Sequence, residues 1–179
     1  MRGFMLSAAL SVSLISQARA QDAAEAEKKA IAKIRESGAL VLEIAQNDNR
    51  LDVSYITAQG KITNEQLAPL KDLTRLAHLN LRGLEIGDEG LVNIATQKTL
   101  VRLHLEKTKI TDKGLEQVKG LENLEYLNLY GTEITDAGLA HLTNLKKLKS
   151  LYLWQTKVTD EGVKKLQAAV PGVKIDRGT

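Results

Sequence analysis

The sequence predicts an α/β solenoid with a parallel sheet on its concave side, short helices on its convex side, and an N-terminal cap of helix and strands. Three observations predict it. The first is a fixed period: Ile62, Ile86, Ile110, Ile134 and Val158 fall on every 24th residue, and Leu67, Leu91, Leu115, Leu139 and Val163 follow the same step. The second is a change of local periodicity inside each period. Leu79 and Leu81 alternate with polar neighbours at strand spacing, whereas Leu115, Val118 and Leu121 recur at helical spacing. The third is a repeated helix start. With Thr111 as N-cap, Asp112 lies in the first turn, where the helix dipole favours negative charge, and Ile110 and Leu115 form a hydrophobic staple; Thr135 and Thr159 repeat the arrangement. One such coil cannot bury its leucines alone. Stacked at the roughly 4.8 Å separation of paired strands, the coils share one core.

Residues 1–20 read as a secretory signal peptide, with Arg2 as the positive n-region, Phe4 to Ile15 as the apolar stretch and Ala18-Arg19-Ala20 as the cleavage site. The apolar run is shorter than the roughly 20 residues that span a bilayer. We therefore expect a chain processed near Gln21 and located outside the cytoplasm, secreted or periplasmic, with no stable membrane span. Residues 21–57 form the expected N-terminal cap. Asp22 to Glu36 is helical with Ile31 and Ile34 on one face, Ser37-Gly38 stops the helix, and Leu40 to Ile44 and Leu51 to Ile56 are strands around an Asn47-Asp48-Asn49 turn.

The repeat array is expected over 58–170, as one degenerate and four clear repeats. In the degenerate repeat Thr63 and Gln66 stand in capping-box spacing, and Pro69 keeps the convex segment short or 3₁₀-like. Residues 171–179 form the far cap, where Pro171-Gly172 breaks the last helix and Val173 to Ile175 makes a lid.

Composition removes whole classes of chemistry. The chain has no Cys, which excludes disulfide scaffolds, thiolate metal sites, covalent haem attachment and a cysteine nucleophile. The formal charge is +3, and without Arg2 and Arg19 the balance is nearly even, so no basic stripe points to nucleic acid.

Three polar columns also follow the period. The column Asn64, Asp88, Asp112, Asp136 and Asp160 is accounted for by helix capping. Gly90, Gly114, Gly138 and Gly162 form no phosphate-binding loop and are expected to allow close packing at the helix start. Lys61, Glu85, Lys109, Glu133 and Lys157 alternate in charge and read as a solvated ladder that sets register.

Four turns, among them Leu100/Leu103/Leu105 and Leu124/Leu127/Leu129, fit the pattern L-x-x-L-x-L-x-x-N/C-x-L, with Leu84, Thr108, Thr132 and Thr156 at the position where Asn or Cys is usual. The run LEYLNLYGTEITDAGLAHLTNL (124–145) resembles the short-repeat leucine-rich repeat proteins of secreted bacterial type. Its ITD-x-GL element is also similar to repeats of eukaryotic F-box leucine-rich proteins. The cap from Ala24 to Tyr55, together with LYLWQTKVTD (151–160), is similar to the repeat region that some planctomycete-like bacterial proteins fuse to a c-type cytochrome domain. No haem-binding sequence is present, so electron transfer does not carry over. The resemblance implies a leucine-rich repeat solenoid, a short horseshoe, used for protein recognition.

With Leu79 and Leu81 inward, strand alternation sends His78, Asn80 and Arg82 to the concave face. The period then places Arg102, His104 and Glu106, next Tyr126, Asn128 and Tyr130, and next Ser150, Tyr152 and Trp154 on the same face. Beyond residue 20 there are five aromatic residues, and four of them fall on the last two of these strands. Tyr and Trp are enriched at binding hot spots. We take Tyr126, Tyr130, Tyr152 and Trp154 as the expected binding surface, with Asn128 among them and Arg82, Arg102, His104 and Glu106 as a polar flank. The expected activity is non-catalytic binding of a protein partner by a monomer without cofactor. A carbohydrate stacking on the same rings is the alternative, and a metal-dependent enzyme using His78 and His104 is a further one.

Overall fold

The computed structural model describes residues 3–178, with side chains described from Ser16 onward. Arg2 and the side chains of Phe4 to Ile15, on which the signal-peptide reading rests, lie outside the described residues. The first helix, α1 (Gly3–Glu36), runs unbroken to the expected stop, where Gly38 takes φ +82°. Among the described residues no helix is long and apolar enough to cross a membrane.

Two strands, β1 (Leu40–Ala45) and β2 (Asp48–Ser54), follow as an antiparallel pair. A 3₁₀ segment at Asn64–Asp72 leads into β3 (Leu76–Asn80). Pro69 lies within that segment, as its missing donor requires, and the backbone N–H of Thr63 donates to Oε1 of Gln66 at 2.9 Å. Four coils then alternate strand and helix: α2 (Asp88–Leu91), β4 (Arg102–His104), α3 (Asp112–Val118), β5 (Tyr126–Asn128), α4 (Asp136–Leu139), β6 (Ser150–Tyr152), α5 (Asp160–Ala169) and β7 (Lys174–Asp176). Among the described residues these strands form one sheet in chain order, parallel from β2 to β7.

The core is a set of leucine columns. Leu79, Leu103, Leu127 and Leu151 stand in register across β3 to β6 and are all fully buried, with Leu81, Leu105 and Leu129 beside them. Three threonines at the ninth position close the next turn. The hydroxyls of Thr108, Thr132 and Thr156 donate to the carbonyls of Leu105, Leu129 and Leu153 at 2.8, 2.6 and 2.7 Å. Each hydroxyl satisfies a carbonyl at the end of a strand.

The aspartate column does more than complement a helix dipole. In each case the carboxylate reaches to the next coil. The amide and hydroxyl of Thr111 donate to Asp88, both at 2.7 Å; those of Thr135 donate to Asp112 at 2.8 and 2.6 Å, and those of Thr159 to Asp136 at 2.8 and 2.6 Å. Where the next N-cap is Gly87, which has no hydroxyl, the partner is Asn64, whose Oδ1 accepts the Gly87 amide at 3.1 Å. Among the described residues Asp160 meets no threonine of a next coil and pairs with Arg177 instead.

The glycine column follows from the same bonds. A Cβ on Gly114 would lie 2.5 Å from Oδ1 of Asp88, and Gly138 and Gly162 meet Asp112 and Asp136 more closely still. In the charge ladder Lys61 pairs with Glu85 at 2.8 Å and Glu133 with Lys157, all exposed, while Lys109 makes no ion pair among the described residues and acts on Glu85 through space.

The N-terminal helix is latched to the array by Glu27. Its buried carboxylate accepts from the amide and hydroxyl of Thr74 at 2.7 and 3.0 Å and from Nε of Arg75 at 3.0 Å. Burial pushes its pKa up, but the bonds from Thr74 and Arg75 outweigh that and hold it below the usual carboxylate range. Ala30 and Ile34 of the same helix pack into the leucine core.

Candidate functional site

The parallel register fixes two columns on the concave face. One runs His78, Arg102, Tyr126, Ser150 and Lys174; the other runs Asn80, His104, Asn128, Tyr152 and Asp176. A third position, two residues further on, holds Arg82, Glu106, Tyr130 and Trp154. All nine residues read from the sequence as site candidates therefore lie on this face.

The rings are organised in two rows. In the first, His104 lies against Tyr126 with centroids 4.7 Å apart, Tyr126 against Tyr152 at 5.3 Å, and the guanidinium of Arg102 over the Tyr126 ring at 4.5 Å. In the second, Tyr130 lies against Trp154 at 5.5 Å with the ammonium of Lys107 over Tyr130 at 5.5 Å. The tyrosines are half-buried by these neighbours, and Trp154 is exposed. Burial, chiefly, raises the pKa of the Tyr126 phenol, against a bond from Asn128 that lowers it.

Glu106 departs from its expected place on the exposed flank. It is buried at 6% exposure, between the rows. One carboxylate oxygen is 2.8 Å from Nδ1 of His104 and accepts from Nδ2 of Asn128 at 2.8 Å, while the other has no hydrogen-bond partner. The reason is local. Glu106 follows Leu105 directly, and its two concave neighbours draw the carboxylate down between them, where it orients His104 and Asn128. The other oxygen of Asn128 accepts the amide of Tyr130 at 3.0 Å and ends β5 in a tight turn.

His78 and His104 do not converge. Nδ1 of His78 faces Asp52 at 3.1 Å and Nδ1 of His104 faces Glu106, so each imidazole is committed to its own carboxylate. Among the described residues no group of three His, Asp or Glu side chains is placed to hold a metal ion.

Sequence reasoning missed part of this face. Leu40 pairs with Ser54 and Leu42 with Asp52 across the antiparallel β1–β2 ladder, and Asp52 and Ser54 pair with His78 and Asn80. The first two strands thus add Leu40, Leu42, Asp52 and Ser54 to the concave surface. Leu40-Val41-Leu42 is apolar at every position, so alternation could not say which side faces the core; Val53, buried opposite Val41, supplies that signal only once the pairing is known. A concavity of about 280 Å³ lies between β2 and β4, lined by Asp52, Ser54, His78, Leu79, Asn80, Arg102 and His104. Two larger hollows, about 440 and 590 Å³, run alongside α1, and no sequence-predicted site residue lines either.

Family models described as leucine rich repeat match residues 74–95 and 98–158. Among curated proteins no sequence matches. Among solved structures, the leucine-rich repeat ectodomain of a receptor kinase from Arabidopsis thaliana superposes with a TM-score of 0.53 at 16% identity, covering 86% of this chain and 91% of that one. An internalin from Listeria monocytogenes matches with a TM-score of 0.45 at 22% identity over 60% of this chain, which spans only 36% of the internalin. Internalin C2 from the same organism gives 0.40 at 21% identity, over 70% of this chain and 69% of its own. The repeat matches, the superposed receptor ectodomain and the strand–turn–helix coils described above agree: this chain has the leucine-rich repeat fold.

Proposed function

We propose that this chain is a non-catalytic protein-interaction module that works outside the cytoplasm and docks its partner on the concave face. One observation carries the reading. Four of the five large apolar side chains exposed among the described residues stand on the concave side: Leu40 at 47%, Leu42 at 59%, Ile56 at 58% and Trp154 at 53%. Ile56 takes its place there because it lies two residues beyond Ser54, at the position that Arg82 occupies in the next coil. Scattered exposed apolar residues are ordinary on a soluble surface, but their concentration on one face marks interaction. Leucine-rich repeat domains generally bind proteins, which supports the same reading. The residues of the leader, Arg2 through Ala20, support the extracytoplasmic location and the secreted bacterial type.

The ring faces speak against sugar stacking as the main mode. Arg102 covers Tyr126 and Lys107 covers Tyr130, which leaves the exposed indole of Trp154 as the main open ring for a pyranose.

The test is capture of an envelope or secreted partner on the immobilised protein, repeated with Trp154→Ala and Tyr130→Ala and with the convex controls Lys113→Ala and Lys164→Ala. Truncating Trp154 should cost about 2 kcal/mol or more of binding. Loss of binding in the convex controls with none in the aromatic variants would place the interface elsewhere.

A further inference from the structure

Beyond residue 20, four of the six arginines are engaged. Arg35 donates to the Val41 carbonyl, Arg50 pairs with Asp48, Arg75 with Glu27 and Glu43, and Arg177 with Asp160. Beyond residue 20 the exceptions are Arg82 and Arg102, both exposed on the concave face, whose guanidinium groups make no hydrogen bond or ion pair among the described residues. The acids of that face bond elsewhere. Asp52 is occupied by His78, Glu106 is buried against His104 and Asn128, and Asp176 accepts the Gly178 amide. Lys107 and Lys174 are also outside any ion pair among the described residues, so four cations of the concave face stand without a paired carboxylate, against the half-buried acid Asp52 and the exposed acid Asp176.

We infer that the concavity between β2 and β4 is a carboxylate-binding subsite, and that the partner docked on the concave face presents an acidic polypeptide segment to it. The inference rests on the protein-binding reading given above. Arg102 lines the concavity, and its stacking over Tyr126 at 4.5 Å holds the guanidinium plane while leaving its N–H edge unpaired. A planar fork held in this way suits bidentate recognition of a carboxylate. Asn80 and Ser54 line the same hollow and supply neutral donors, and the apolar side chains that follow an acidic residue in the partner meet Tyr126 and Tyr152 on one side and Leu40 and Leu42 on the other. Arg82, at the rim, steers an acidic segment inward.

The experiment measures binding of the purified chain to a random copolymer of glutamate and tyrosine, with a lysine–tyrosine copolymer and polygalacturonate as comparison probes. The glutamate–tyrosine copolymer should bind and the lysine–tyrosine copolymer should not. Arg102→Gln should weaken the first by about tenfold or more, Arg102→Lys should fall between because it keeps charge and loses the fork, and the convex Lys113→Gln should leave it unchanged. Equal binding by Arg102→Gln, or tighter binding to the lysine copolymer, overturns the inference. Binding to polygalacturonate alone overturns the assignment to a polypeptide. If Trp154→Ala abolishes capture of the native partner while Arg102→Gln does not, the carboxylate subsite fails and the concave docking reading stands.

Discussion

The convex helix starts and the concave sheet surface are built from the same period, yet they treat polar groups in opposite ways. At the helix starts Asp88, Asp112 and Asp136 share a repeated partner, a threonine amide and hydroxyl one coil away, and the residue that would obstruct each is a glycine. On the concave face no two adjacent coils carry the same set. His78 is followed by Arg102, Tyr126 and Ser150, and two of the cations along the way are left without partners. A side chain that recurs with the period and is satisfied by its neighbour serves the stack. One that breaks the period, stays exposed and lacks a partner is free to serve something outside it.

The largest test of this division is in the core it surrounds. Leu127 is fully buried in the middle of the array, so Leu127→Ala should cost about 2–5 kcal/mol by leaving a cavity between β4 and β6. Glu116→Ala on exposed α3 should change stability by no more than about 0.5 kcal/mol, since it loses only a surface pair with Lys119. Urea denaturation of both variants checks the pair.

The aspartate column offers a sharper comparison, because among the described residues its last member meets no threonine of a next coil. Asp112→Ala removes the acceptor for the Thr135 amide and hydroxyl and should cost about 1–3 kcal/mol. Asp160→Ala, exposed and joined only to Arg177, should cost about 0.5 kcal/mol or less. Equal losses would return the column to a dipole effect acting within each helix.

Most of the fold was legible in the sequence because a solenoid repeats its own evidence. Each leucine position is stated four or five times, and threonines at the N-cap mark the starts of α3, α4 and α5. What escaped were the things a single coil cannot state. The column Asp88, Asp112 and Asp136 reads as capping until the next coil is placed beside it, when the hydrogen bonds turn out to run between coils. Glu106 reads as exposed from strand alternation, which fixes the face and not the depth; its descent depends on Asn128 from the adjacent coil and on His104. The antiparallel β1–β2 pair lies outside the period, so Leu40 and Leu42 had no repeated position to be read from.

Acid provides a gentler way to probe the inter-coil bonds. Asp136 is held below the usual carboxylate range, first by the Thr159 hydroxyl and then by its amide. A carboxylate with a depressed folded pKa contributes stability that is fully present above its unfolded value, about 4, and is lost as pH falls through the folded value. The penalty of Asp136→Asn should therefore be full at about pH 7 and shrink as pH falls below about 4, as read from urea midpoints. A penalty independent of pH would mean that Thr159 is held by shape alone.

The smallest effect concerns the turn that ends each concave strand. Four coils place the same residue in the left-handed region: Gly83 at φ 73°, Lys107 at 54°, Gly131 at 68° and Gln155 at 56°. A Cβ there costs roughly 1–2 kcal/mol, partly offset by the roughly 0.5–1 kcal/mol of extra chain entropy that glycine loses on folding. Gln155→Gly should then stabilise by up to about 1 kcal/mol. Lys107→Gly should gain less, because it also gives up the ammonium over Tyr130, worth about 0.5 kcal/mol at an exposed site. Melting curves of the two variants, compared with each other, isolate that contact. If neither gains, the left-handed turn carries no strain and Lys107 is an ordinary turn residue. If Gln155→Gly gains and Lys107→Gly does not, the concave side keeps a strained cation over a tyrosine where the helix starts at Asp88, Asp112 and Asp136 keep satisfied carboxylates.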